Sequence, residues 1–144
     1  AAYMKSELRG APKIVSAPGH SFSDVAMKCL HIVNLASVRD LERVEGRPVD
    51  PLRFRANVYI DGLEPWVERA WMGREIRLGS VGCAVVDGTV RCNATNVDPK
   101  SGARDMAIPS LLQRTWGHTD FGFYAKVATG GAVAVGDAVT VSAG

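Results

Sequence analysis

Apolar positions along this chain come in short runs, and Gly or Pro punctuates most of the gaps between them. The run at 29–34 (CLHIVN) predicts a compact buried strand, and 13–17 predicts another before the Pro18-Gly19-His20 turn. Ser37 is placed to cap a helix running to about Glu45, with Asp40 adding negative charge near its positive end. Gly46 and Pro48 stop that helix. Residues 53–61 (RFRANVYID) have strand propensity and end at the Asp61-Gly62 turn. Pro65 suits a first helical position and predicts a short helix over 66–71. Polar and apolar residues alternate over 74–78, the mark of a half-buried strand. Residues 81–86 and 89–97 flank Asp87-Gly88, a two-residue hairpin signal. A turn follows at 98–102, and Pro109 starts another short helix through Leu111, Leu112 and Trp116. Residues 121–129 and 132–141 read as strands around a hairpin-like Gly130-Gly131.

Many short strands, frequent turns and two or three short helices predict a mainly β protein, an antiparallel β-barrel with a few short peripheral helices. There is no βαβ rhythm, no GxGxxG and no GxxxxGK[ST], so neither a dinucleotide fold nor a P-loop is indicated. The 144 residues fit one domain, read as a lead-in over 1–19 and the barrel over 20–144. A domain this size buries roughly 68–70% of its unfolded surface, enough to fold without disulfides. Hydrophobic residues make up 47% and charged residues 22%, which argues against disorder.

Net charge is +2, with no long basic run or basic-aromatic alternation, so a nucleic-acid partner is not expected. The three cysteines, Cys29, Cys83 and Cys92, form no CxxC pair. That argues against a disulfide framework or structural zinc and for a reducing, cytoplasmic setting. No apolar run approaches the roughly 20 residues of a membrane span, and no signal peptide is visible. The chain opens Ala1-Ala2-Tyr3 without Met, which leaves an upstream segment or domain open.

Candidate chemistry starts at 53–57. On a strand, Arg53, Arg55 and Asn57 share one face and form a donor-rich surface suited to phosphate or carboxylate. The alternative is a solvated face paired with Asp50 or Asp61. In Arg91-Cys92, a guanidinium beside a thiol favours the thiolate, a better metal ligand or nucleophile. The alternative is a small buried hydrophobe, the role free Cys often takes. Cys29 and Cys83 lie in apolar runs and read as packing. His20, His31 and His118 have no metal-ligand spacing, and Asp120 is near enough in sequence to orient His118. Ser21 and Ser23 beside His20 and Asp24 are sequence neighbours and no evidence for a triad. The three tryptophans read as packing.

Several phrases occur together: FSD at 22–24, LASVRDL at 35–41, RFRANVYIDG at 53–62, EPWVERAWMGREIRLG at 64–79, TVRCNATNVDPKSG at 89–102, FGFYAKV at 121–127 and GGAVAVGDAVTV at 130–141. In this order the chain resembles the MOSC domain family over roughly residues 20–142. The family is named for the C-terminal domain of molybdenum-cofactor sulfurase. It also includes the mitochondrial amidoxime-reducing component and bacterial reductases of N-hydroxylated compounds. The resemblance implies a barrel that binds molybdenum cofactor. It implies Cys92 as molybdenum ligand and catalytic centre, and Ser37, Arg55, Asn57 and Arg91 as cofactor contacts; Arg53 joins this cofactor-binding set through its period-two spacing with Arg55 and Asn57. It also implies a separate electron-donor protein. Function is then expected as part of an oxidoreductase, with a non-catalytic cofactor or sulfur carrier as the alternative. Three departures stand beside it. Reductases of the family carry an additional N-terminal region that supplies part of the pocket. They usually have a small hydroxylated residue where this chain has Val90. Nothing here resembles the sulfurase's pyridoxal-phosphate domain, so that cofactor is not expected.

Overall fold

The computed structural model describes residues 29–143. The expected strand at 13–17, the turn at 18–20 and the lead-in over 1–19 lie outside them. Six strands form one sheet: β1 (Leu30–Asn34), β2 (Val58–Ile60), β3 (Glu75–Leu78), β4 (Val81–Val90), β5 (Asp120–Thr129) and β6 (Val139–Val141), in the order β2-β1-β5-β4-β3-β6. The sheet curls into a half-barrel. Every pairing is antiparallel except β1 with β2, where Ile32 lies opposite Val58. Two α-helices, α1 (Leu35–Glu45) and α2 (Ile108–Trp116), complete a mainly β architecture, as the turn-rich pattern predicts.

The alternation in β3 survives intact: Ile76 and Leu78 are buried while Glu75 and Arg77 are exposed. They pack with Trp71, Val81, Cys83, Val85, Phe123 and Ala125 in a cluster built from apolar side chains. A second cluster lies beneath the helices and joins Val38, Leu41, Phe54, Ile108, Leu111, Leu112 and Phe121. Phe54 and Phe121 stack at its centre, ring centroids 4.1 Å apart. Helix α1 ends at Gly46 as expected. There φ is 81°, and the glycine N–H donates to the Glu42 carbonyl.

Several expectations need correction. The cap of α1 is Asn34, whose Oδ1 accepts from Ala36 N at 3.0 Å, and Ser37 sits inside the first turn. Residues 53–57 are not a strand. Pro51–Phe54 is a 3-10 turn, capped by Asp50 Oδ1 accepting from Leu52 N and ended by Arg55 in the left-handed region at φ 50°. The strand begins only at Val58. Arg53, Arg55 and Asn57 therefore do not share a pleated face. Asp87-Gly88 makes no hairpin either, because a type I′ turn needs positive φ at both residues and neither has it. The ten residues of β4 run straight through this pair along β5. Register shifts between Val85 and Asp87, and between Gly88 and Val90, are bulges that bend the sheet. Beyond β4, the expected strand to Val97 becomes a 3-10 turn, Asn93–Asn96.

The Gly130-Gly131 hairpin also fails. The strand expected over 132–141 shortens to β6, which pairs with β3 rather than β5. Ser80 Oγ clasps the intervening loop by accepting from Ala132 N and donating to Ala132 O. Gly131 is needed for that approach, since a Cβ there would stand 2.4 Å from Ser80 Oγ. The helix expected over 66–71 is a 3-10 turn, Val67–Trp71, entered through Trp66 at φ 64°.

Candidate functional site

Strand β4 carries Arg91 and Cys92 out of the sheet at its C-terminal end. Arg91 N donates to Thr119 O at 2.8 Å, and Cys92 then opens the 3-10 turn that holds Asn93–Asn96. Cys92 is exposed, whereas Cys29 is half-buried and Cys83 is buried. Burial pushes the Cys83 thiol up from its ordinary value, the mark of an inert thiol. Thr95 holds the turn closed, its Oγ1 donating to Cys92 O at 2.9 Å.

The Arg91 side chain turns inward. Its Nε donates to Phe121 O at 2.8 Å and Nη1 to Phe54 O at 3.1 Å, while Nη2 lies 2.5 Å from His31 Nε2. Its guanidinium carbon stands 5.3 Å from the centre of the Phe54 ring, a cation–π distance. Burial lowers its pKa to about 10, opposed by the nearby Tyr124, Cys92 and Tyr59. Arg91 thus stays charged at neutral pH, half-buried and directly before the exposed cysteine in the chain.

Arg53 is also buried. Its Nη2 holds both carboxylate oxygens of Asp105 at 2.8 and 2.9 Å, and Nη1 reaches Thr95 O at 3.4 Å. It ties the 51–54 turn to the 93–96 turn, so the two turns bearing candidate residues pack together. Arg55 emerges from the first turn exposed; its backbone N–H donates to Leu52 O at 3.1 Å, and its side chain makes no hydrogen bond or ion pair among the described residues. Asn57 binds the backbone of β1 twice: its N–H donates to His31 O, and its Oδ1 accepts from His31 N, both at 2.8 Å. Arg55 and Cys92 each follow one member of the Phe54–Arg91 hydrogen bond. Ser37 is elsewhere: its hydroxyl donates to Glu68 Oε1 at 2.7 Å and accepts from Trp66 N at 2.9 Å. Asn34 Nδ2 holds the other Glu68 oxygen at 2.8 Å. That network is buried beneath α1.

Sequence reasoning missed His31, Asp105 and Glu68. No local pattern betrays them, because their partners lie 34 to 60 residues away for Glu68 with Asn34 and His31 with Arg91. The only available signal was a histidine inside an apolar run. Its ring tilts against Tyr124 at 5.5 Å. Its pKa falls to about 4 through burial and the Arg91 charge, although the Arg55 and Phe121 carbonyls favour the protonated form.

Two recesses are found among the described residues. One of about 110 Å³ is lined by Trp66, Glu68, Arg69, Met72, Asp120 and Phe121 among others. Another of about 240 Å³ includes Ile76, Cys83, Thr129 and Val141. Neither is lined by Cys92, Arg55 or Asn57. Arg55, Asn57 and Cys92 are each exposed, while Arg53 and Ser37 are buried. Among the described residues, no group of three or more His, Cys, Asp and Glu is placed to hold a metal ion by itself.

Fold and rim define a curled β half-barrel domain with its cationic and thiol groups collected at the end of one long strand. The chain belongs to the MOSC domain family, whose profile matches residues 18–140. It is 29% identical over 120 residues to mitochondrial amidoxime-reducing component 1 of Mus musculus, covering 75% of this chain and 35% of that protein. It is 35% identical over 83 residues to the molybdenum cofactor sulfurase of Caenorhabditis elegans, covering 56% of this chain and 11% of the sulfurase. The chain thus spans about a third of the length of the first relative and about a tenth of the second. Among solved structures it resembles YiiM from Geobacillus stearothermophilus at a TM-score of 0.61, with 18% identity over 79% of this chain and 54% of that one, a likeness of fold. No helix among the described residues is long and apolar enough to cross a membrane.

Proposed function

We propose that this chain is a molybdenum-cofactor-binding domain and forms part of an oxidoreductase acting on N-hydroxylated or related substrates in a reducing compartment such as the cytoplasm. The reading is carried by exposed Cys92 standing next in the chain to half-buried, charged Arg91. The residues present fit the group. Cys92 offers a soft sulfur donor suited to a metal already held by sulfur. Arg55 is exposed, and its guanidinium donors are uncommitted among the described residues, which suits an anionic phosphate. The Asn57 Oδ1 is occupied by His31 N, so its amide nitrogen is the group left to donate outward. Arg91 sets a positive charge in the residue next to the thiol, held inward by the Phe121 and Phe54 carbonyls. Arg53, committed to Asp105, and Ser37, committed to Glu68, act in this reading as supports for the rim rather than as contacts.

When bound, the cofactor supplies a metal that changes oxidation state as an N–O bond is reduced, with electrons arriving from a separate protein. The openness of the rim favours a second reading, a module that holds or delivers the cofactor or its sulfur without turnover. Both are tested on protein co-expressed with the cofactor pathway. Molybdenum near one atom per chain, with reduction of an aromatic amidoxime by a chemically reduced viologen, supports the oxidoreductase. Molybdenum without turnover supports the carrier. No molybdenum overturns both.

A further inference from the structure

We infer that His31 is the positioning residue of this site, a neutral imidazole that joins the Arg91-Cys92 segment to the Arg55–Asn57 segment. The proposal rests on the cofactor-binding reading above and names what holds that site in register.

The geometry is specific to this one residue. Arginine carries only donors and no acceptor. The His31 nitrogen that faces Arg91 Nη2 at 2.5 Å must therefore be unprotonated, and the ring proton sits on Nδ1. That tautomer makes Nε2 an acceptor for Arg91. Through its backbone, the same residue binds Asn57 twice, donating to Oδ1 and accepting from the Asn57 N–H. The Arg55 carbonyl faces the same ring. Phe121 closes the circuit, because its carbonyl accepts from Arg91 Nε and also faces the imidazole. The side chain and the backbone of one residue thus touch both motifs, although the two lie in separate segments of the chain.

The surroundings are shaped for a ring at this position. Gly122, at φ 79°, lies over it, and a Cβ there would stand 2.9 Å from His31 Nε2 and 2.7 Å from Ile32 O. His31 is itself 8% exposed, and its ring packs against Tyr124. With His31 in place, the three Arg91 nitrogens each meet an acceptor, so the guanidinium has one orientation behind Cys92. Without an acceptor at Nε2, one buried Arg91 donor loses its partner, and the guanidinium is free to swing toward solvent past the thiol.

The test compares His31→Leu, which fills the space without an acceptor, with His31→Gln, whose amide oxygen reaches the place of Nε2. Two readouts are taken. Amide hydrogen exchange on the protein without cofactor should speed at least tenfold at Arg91 and Thr95 in His31→Leu. The amides of β3 paired with β4 should be unchanged, and His31→Gln should restore the wild-type rate. Molybdenum per chain after co-expression should fall at least tenfold in His31→Leu and recover in His31→Gln. Arg91→Leu should lower it equally, and the double variant no further, because the two residues act as one unit. Unchanged exchange at Arg91 and Thr95 in His31→Leu overturns the proposal, as does an Nε2–H tautomer in the ring's nitrogen NMR signals. If wild type and Cys92→Ser load molybdenum equally, the cofactor reading fails. Exchange and the tautomer then decide the positioning role by themselves.

Discussion

The cluster around Ile76, Leu78, Val85 and Phe123 is held by apolar side chains, with Cys83 as its one thiol. The cluster around Phe54, Leu112 and Phe121 is bordered by charge: Arg91 over the Phe54 ring, buried Arg53 beside it in sequence, and Glu68 beneath α1. Both halves exclude water, but they do so at different cost. Apolar burial stabilises by about 25 cal/mol per Å². Burying a charge costs several kcal/mol unless hydrogen bonds satisfy it. In the second half, Arg91 meets three acceptors, Glu68 is held by Ser37 and Asn34, and Arg53 is held by Asp105 and Thr95 with its Nε left without a partner among the described residues; these contacts brace the turns near Cys92 or the start of α1. Where a protein retains expensive groups next to an exposed thiol, position rather than stability is the simplest reason to keep them.

The sharpest way to break this contrast is to cut into the apolar half. Phe123→Ala removes a fully buried ring that packs edge-on against Trp71. It should destabilise the fold by about 3–5 kcal/mol in a urea titration. Loading of the protein that remains folded should be unchanged. A selective loss of cofactor at full stability would show that the two halves are not separable.

The charged half should respond to pH where the apolar half does not. Folded His31 titrates at about 4, below its ordinary 6.5. Between those values the unfolded chain binds the proton and the folded chain does not, so stability falls as pH is lowered from 6.5 toward 4. The loss is on the order of 3 kcal/mol. His118 is lowered too and adds in the same direction. Asp40, Asp61 and Asp98 are held below the usual carboxylate range, so their contribution is lost only at still lower pH. In His31→Gln the slope between 6.5 and 4 should flatten. An unaltered slope would place the acid sensitivity elsewhere.

A smaller effect separates supports from contacts. Asp105→Ala leaves Arg53 buried without its carboxylate. Because Asp105 is itself about a third exposed, the cost should be about 2 kcal/mol, below that of breaking a fully buried pair. Replacing both residues together, Arg53→Met with Asp105→Leu, should cost less than the single change, since no orphaned charge remains. If Arg53 instead bound ligand, the double variant would lose loading while keeping its stability.

Several elements of both halves were legible from the sequence, because their signals are local. Alternation marks β3, and Gly46 and Pro109 mark the end of one helix and the first turn of another. The failures have one physical origin, distant partners overriding local propensity. RFRANVYID has strand composition, but the Asp50-Pro51 cap and the Arg53–Asp105 pair fold its first half into a turn. Asp87-Gly88 has hairpin chemistry, but β5 is long enough to pair on both sides of it, and a bulge absorbs the misfit. The Asn34 cap was overlooked because it ends a strand in an apolar run. At the site, the Arg91-Cys92 phrase could be read directly, and the structure places Cys92 at the surface, not in the apolar core. The inward turn of Arg91 and its acceptor on His31 could not, since only the fold brings them together.

The central claim is that Cys92, alone of the described cysteines, serves the cofactor. Cys92→Ser and Cys83→Ser make the same exchange of sulfur for oxygen, one on the exposed rim and one in the apolar core. Molybdenum per chain, measured for both after co-expression with the cofactor pathway and beside a melting curve, separates them. Cys92→Ser should lose at least nine-tenths of the metal with an unchanged melting temperature. Cys83→Ser should retain the metal and lose about 1–3 kcal/mol of stability, the cost of a hydroxyl buried without a partner. Equal molybdenum in wild type and Cys92→Ser would contradict the account.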